Sequence, residues 1–374
     1  MSIYRSHCQA LSGVTGSRDI GPCDRINWTQ VGSTPWPDFR DCMIEVINIS
    51  GSDSQAVFGT ISPGTIRWAG GVLAENGFIY GIPRDVAEVL KIDTVNETLS
   101  AFGSLLGFDK WIGGVLATNG KIYGIPFDST TVLKIDPVDD TATTFGSLSG
   151  TDKWAGGVLA PNGSIYGIPL NSTTVLKIDT TNDTVSTFGS LAGTAKWAGG
   201  VLGGNGFIYG IPFASTTVLK IDTSNDTVST FGSLAGSSKW FGGVLSTNES
   251  IYGLPSLATV VLKITPSSDT ASTFGSVSGG GSSQWVGGVL APNGKIYGIS
   301  RTASQTLKID PTDDTLSLLA ETLGGSDRYS GGVLAQNGKI YGIPRNNNNV
   351  LKISPNSNAA FDPDILLCSY VNKI

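Results

Sequence analysis

Two series of side chains in this sequence could do chemistry. The first sets a cation beside an aromatic ring: Arg67-Trp68, Lys110-Trp111, Lys153-Trp154, Lys196-Trp197, Lys239-Trp240 and Arg328-Tyr329, with Gln284-Trp285 as the neutral member. A ring beside a fixed cation can stack on a sugar or hold an anion with cation–π support. The same pair also has a structural use, with the ring wedged between packed elements and the aliphatic stem of the basic residue laid over it. Residues that recur in every repeat are usually those that make the repeats stack. The second series breaks the regularity. The residue after each Ile-Tyr-Gly-Ile-Pro-type segment reads Arg84, Phe127, Leu170, Phe213, Ser256, Arg301 and Arg345. Three arginines there suit a carboxylate, phosphate or sulfate through forked hydrogen bonds. Asp85, Glu88 and Asp327 lie close enough in sequence to pair with them instead.

Other chemistry has little to work with. A Ser-His-Asp or Cys-His arrangement needs a positioned histidine, and His7 is the only one. The four cysteines, Cys8, Cys23, Cys42 and Cys368, show no zinc spacing, so neither a metal nor a cofactor is expected. The aspartates of the Lys-Ile-Asp segments, such as Asp136 and Asp179, precede Asn/Thr-rich turns and fit turn capping better than a glycosidase pair.

The elements that position these residues repeat. The anchors Trp68, Trp111, Trp154, Trp197, Trp240, Trp285 and Tyr329 are spaced 43, 43, 43, 43, 45 and 44 residues apart, and each is followed by Gly-Gly-Val-Leu, Ile-Tyr-Gly and Leu-Lys-Ile. One repeat holds four short apolar runs, Gly156–Ala160, Ser164–Pro169, Thr174–Ile178 and Val185–Gly189, rich in residues that fit a pleated sheet. Pro161-Asn162-Gly163 is a tight hairpin turn, since Asn and Gly accept positive φ, and no stretch shows helical spacing. Four antiparallel strands repeated seven times predict an all-β fold, a seven-bladed β-propeller. An eight-bladed ring with residues 28–61 as a worn repeat stays open.

The segment Thr174–Thr187, TVLKIDTTNDTVST, resembles the YVTN-type propeller repeat, and Ala160–Tyr166, APNGSIY, resembles the first hairpin of gluconolactonase-like propellers. The resemblance spans residues 68 to about 355. It implies a propeller and no activity: the metal ligands of the gluconolactonase-like enzymes have no counterpart that can be placed here. The Gly-His and Trp-Asp pair of tryptophan–aspartate propellers and the kelch order of Gly, Tyr and Trp are also missing.

The repeats predict an N-terminal arm over 1–41 and a propeller over 42–374, closed by strands within 43–61 against the last repeat. Ala56–Ile61 should pair with Val350–Ile353, because closure removes exposed sheet edges. That seam would bring Cys42 near Cys368 and leave Cys8–Cys23 to tie the arm. Paired cysteines would favour an extracellular or lumenal protein; free buried thiols are the alternative. Met1–Gly13 lacks the basic and apolar regions of a signal peptide. A formal net charge of −6 disfavours nucleic acid, and no apolar run is long enough to span a membrane. Propeller loops alternate between two faces. Here the longer connections share one face with both residue series, and loops on a rigid scaffold are where binding usually resides. The sequence therefore predicts a binding protein for a small anion or glycan on that face. The alternative is a hydrolase or lyase with one asymmetric site built around the arginines.

Overall fold

A computed structural model describes residues 52–61, 64, 66–277 and 283–356. The described residues form seven four-stranded antiparallel sheets and no helix. The first blade is β2 (Trp68–Leu73), β3 (Ile79–Pro83), β4 (Val89–Asp93) and β5 (Thr98–Phe102), in that order from the axis outward. Five more blades follow the same pattern. The seventh is composite: β26 (Tyr329–Leu334), β27 (Ile340–Pro344) and β28 (Val350–Ser354) are completed by β1 (Ser54–Phe58) from the other end of the chain. The ring has seven blades, not eight. Its closing strand pairs from Ser54↔Ser354 to Phe58↔Val350. It thus ends at Phe58 rather than Ile61, whose N–H still bonds Asn348 O at 2.8 Å. The cysteines, His7 and residues 43–50 and 364–371 lie outside the described residues.

The paired glycines explain why the blades can close up. In the repeat anchored at Trp154, Gly156 has a φ of 79°. It forms a bulge between Trp154 and Gly157 in the pairing with the next strand. Gly157 then faces the preceding blade, where a Cβ would stand 2.5 Å from Ile125 Cδ1. Gly71, Gly114 and Gly200 meet Ile343, Ile82 and Ile168 at the same 2.5 Å. At each of these interfaces the isoleucine of one blade fills the hole that a missing side chain leaves in the next.

A polar latch ties the tight-turn face together. Tyr166 OH donates to Asp226 Oδ1 of the next blade at 2.8 Å, and Lys177 Nζ holds Asp226 Oδ2 at 2.6 Å. Asn162 adds its own tie to Thr223 O at 2.8 Å. Between the sixth and seventh blades the aspartate comes from the N-terminal segment. Asp53 Oδ1 accepts from Tyr297 OH at 2.7 Å and from Asn356 N at 2.7 Å, and Asp53 Oδ2 takes Lys308. Burial pushes the Asp53 carboxyl up, but the Asn356 N–H, Lys308 and Tyr297 outweigh it and hold it below the usual carboxylate value. The N-terminal segment therefore closes the ring twice, by strand pairing and by this carboxylate.

Two changes test the seam. Deleting residues 1–61 should expose the edge of β28 and lower the melting temperature sharply, whereas a truncated protein that melts like the full chain would place the seam elsewhere. Asp53→Asn should cost about 2–4 kcal/mol, since it leaves Lys308 without its counter-charge. The sign of the pH effect follows from the lowered pKa. The Asp53 contribution is complete above about pH 4 and is lost as pH falls through the folded value. Urea midpoints across pH should thus show a smaller acid loss in the asparagine variant.

Candidate functional site

The cation–aromatic pairs are built into the wall. The side chains of Arg67, Lys110, Lys153, Lys196, Lys239 and Arg328, and of Trp68, Trp111, Trp154, Trp197, Trp240, Trp285 and Tyr329, are all 4% exposed or less. Each lysine reaches back to the preceding blade and donates to carbonyl oxygens. Lys110 Nζ lies 2.8 Å from Arg84 O, 2.9 Å from Val86 O and 2.7 Å from Gly107 O. Lys196 and Lys239 repeat all three contacts, and Lys153 bonds Phe127 O and Gly150 O. Burial holds all four ammonium groups below the usual lysine value, and the carbonyl dipoles supply what water no longer does. Arg67 makes the corresponding clamp with Gly64 O, Asn347 O and Asn348 Oδ1. The indoles are engaged in the same way, as in Trp154 Nε1 to Thr174 O at 2.8 Å. These groups join blade to blade and present no open ring face or free ammonium at the channel mouth.

The second series does converge at the axis, in two arcs. Phe127, Leu170 and Phe213 pack with Ala69, Ile112, Ala155, Ala198 and Phe241 in one apolar cluster. These residues come from five blades, which can meet only around the channel. Phe213 and Phe241 stand edge to face, with centroids 6.1 Å apart. The other arc holds Arg84, Arg301 and Arg345. Burial lowers the Arg345 pKa first, Arg301 and Arg84 lower it further, and Asp327 opposes them. The three guanidinium groups are therefore near one another, as their shared register requires.

Each of these arginines already has a carboxylate. Asp327 bridges two of them, with Oδ1 on Arg301 and Oδ2 on Arg345 Nε at 2.9 Å. Arg84 pairs with Asp109 and lies 5.2 Å over the Phe127 ring, so it joins the two arcs. Asp85 instead accepts the Asp109 N–H at 2.7 Å. Asp327 was visible in the sequence; Asp109 and its neighbour Asp152 were not. Their signal is the residue before the clamp, which is Asp in three repeats and Ile, Ala or Ser in the others. It sits at positive φ: 47° for Asp109, 49° for Asp152 and 51° for Asp327. Burial pushes the Asp152 carboxyl above its usual value, with Asp128 and Asp109 adding to the effect. Among the described residues, no group of three or more His, Cys, Asp or Glu is placed to hold a metal ion, and no helix is long and apolar enough to cross a membrane.

A family model described as a repeat of unknown function, DUF6923, matches residues 50–238. No curated protein matches the chain. Among solved structures, a streptogramin B lyase is similar with a TM-score of 0.70 at 14% identity, covering 81% of this chain and 98% of that one. Virginiamycin B lyase from Staphylococcus aureus is similar with a TM-score of 0.69 at 10% identity, covering 81% and 99%. The WD40 β-propeller domain of Doa1 is similar with a TM-score of 0.62 at 13% identity, covering 83% and 99%. Such low identities show the propeller alone.

The clamp makes a direct prediction. Lys110→Met keeps the length and apolar stem but strands three buried carbonyls, and should destabilise the fold by about 2–4 kcal/mol in denaturant titration. Lys110→Arg, the residue type at position 67, should recover most of that. A methionine variant as stable as wild type would remove the clamp from the account.

Proposed function

This chain belongs to the DUF6923 repeat family, and we propose that it is a binding protein that takes a glycan at the channel mouth on its longer-loop face. The observation that carries the reading is the division of that mouth into a phenylalanine arc and an arginine–aspartate arc. A sugar has both surfaces: its C–H face lies on aromatic rings, and its hydroxyls accept from guanidinium and donate to carboxylate. A free small anion, the other ligand class that suits arginine, fits less well. Arg84, Arg301 and Arg345 are already bonded to Asp109 and Asp327, so an anion would have to compete with a carboxylate for the guanidinium edges those pairs occupy. The two arcs also differ around the ring, which favours one ligand per chain over a ring of equivalent sites.

A second reading has one observation of its own. Asp152 is a carboxyl pushed up by burial beside Asp128 and Asp109, with Arg84 in its field. A carboxyl tuned upward in a cleft is what general-acid chemistry uses, and it would suit a hydrolase or lyase on the same face. The lyases similar to this chain include a catalytically inactive His-to-Ala variant of the Staphylococcus aureus enzyme, solved with quinupristin. The one histidine here, His7, is outside the described residues, so support for an enzyme rests on Asp152.

Glycan-array screening followed by calorimetry on the full chain tests both readings. Arg301→Leu and Phe213→Ala should each weaken binding by about tenfold or more, the loss of a charge-assisted hydrogen bond or a stacking face. Val138→Ser, on the exposed tight-turn face, should leave it unchanged. Absence of any glycan bound by the wild type, or equal weakening by the Val138 change, would sink the proposal. Turnover of a bound glycan that Asp152→Asn abolishes without loss of affinity would decide for the enzyme.

A further inference from the structure

The wall between the sixth and seventh blades departs from the clamp found elsewhere. Arg328 stands where Lys110, Lys153, Lys196 and Lys239 stand, and it is 2% exposed. Its Nη1 donates to Gly325 O, the counterpart of the bond from Lys110 to Gly107 O. Arg67, one wall further on, places its Nη2 on Asn347 O and Asn348 Oδ1. In the repeat before Arg328 those positions are Ala303 and Ser304. Among the described residues, the Nε and Nη2 groups of Arg328 have no hydrogen-bond partner. The adjacent Asp327 is already bound to Arg301 and Arg345.

The two free groups are not an arbitrary pair. Nε–H and the neighbouring N–H of Nη2 lie parallel along one edge of the guanidinium plane. That edge matches the two oxygens of a carboxylate, and Arg is preferred wherever such planar recognition occurs. A buried guanidinium without a counter-charge is costly, and a carboxylate on this edge supplies both the charge and the two acceptors. The Gly325 contact fixes the guanidinium beneath the exposed residues 324–326. The connection they belong to spans 44 residues from anchor to anchor against 43 in most repeats. Gly324 in that connection is itself uncovered, since a Cβ there would meet nothing within 4 Å.

We propose that the Nε–Nη2 edge of Arg328 is a binding site for a carboxylate group, held between the sixth and seventh blades under residues 324–326. It uses none of the arginines of the mouth, so it stands or falls separately from the glycan reading.

The test uses the full chain with ¹⁵N-labelled arginine and sodium acetate as the probe, at constant ionic strength balanced with sodium chloride. The Arg328 Nε–H resonance, identified by its loss in Arg328→Lys, should move saturably with acetate. The melting temperature should rise by about 4 °C at roughly a hundredfold excess over the dissociation constant. Arg328→Lys, which places here the residue of four other walls, should melt close to wild type in chloride alone and show no rise with acetate. Arg328→Gln, which copies the neutral wall at Gln284, provides a second variant if the lysine protein folds poorly. A resonance that responds to acetate no more than to chloride, or an acetate-dependent rise that survives both substitutions, would overturn the site.

Discussion

Everything in this ring depends on how closely adjacent blades approach at the axis. The second glycine of each anchor strand leaves room for an isoleucine or leucine of the preceding blade at a distance no side chain could share. The first glycine makes that possible by taking a positive φ and bulging the strand. A small-residue seam of this kind is expensive to form in an isolated blade, where the glycine loses conformational freedom with nothing to fill the hole. It is repaid only when the next blade docks, and so the stability of the fold is shared between neighbours. At four interfaces a lysine–carbonyl clamp fixes the end on the longer-loop face, and at six a Tyr–Asp–Lys latch fixes the other end. In both, the ammonium and phenol donors meet acceptors on the adjoining blade, the condition under which buried polar networks stabilise.

This division of labour explains where function can reside. What recurs in most or all of the repeats is taken up in packing, including the tryptophans of six repeats and the clamp lysines of four. What varies from blade to blade is left over. The position after the fifth residue of the second strand is Arg, Phe, Leu or Ser, and the position before the clamp is Asp in only three repeats. Those two positions meet at the channel mouth. The departures are also grouped: the three arginines fall on the seam blade and its two neighbours, and the phenylalanines fall on the second and fourth blades.

Much of this was legible in the sequence. The repeat length, the Asn-Gly hairpins and the turn-rich composition point to a propeller, with seven blades expected and eight left open, and ring closure by the N-terminal segment follows from the missing fourth strand of the last repeat. The convergence of Arg84, Arg301 and Arg345 was readable from register alone. The fate of Lys110 and its equivalents was not, because a lysine beside a tryptophan has the same spacing whether its ammonium faces solvent or carbonyl oxygens. Only the position of residues 84, 86 and 107 decides it. Asp53 was hidden for a related reason. It replaces a turn aspartate that in other blades lies within a recognisable Asn/Asp turn, but it comes from a segment more than 240 residues away from Tyr297.

The central claim is that symmetric features build the propeller and asymmetric ones bind. A crystal soak with the glycan selected by array screening addresses it most directly. The account predicts one bound molecule per chain, lying between Phe127, Phe213 and Phe241 on one side and Arg84, Arg301 and Arg345 on the other. Equivalent density beside several of the seven anchor residues, or on the tight-turn face, would contradict it.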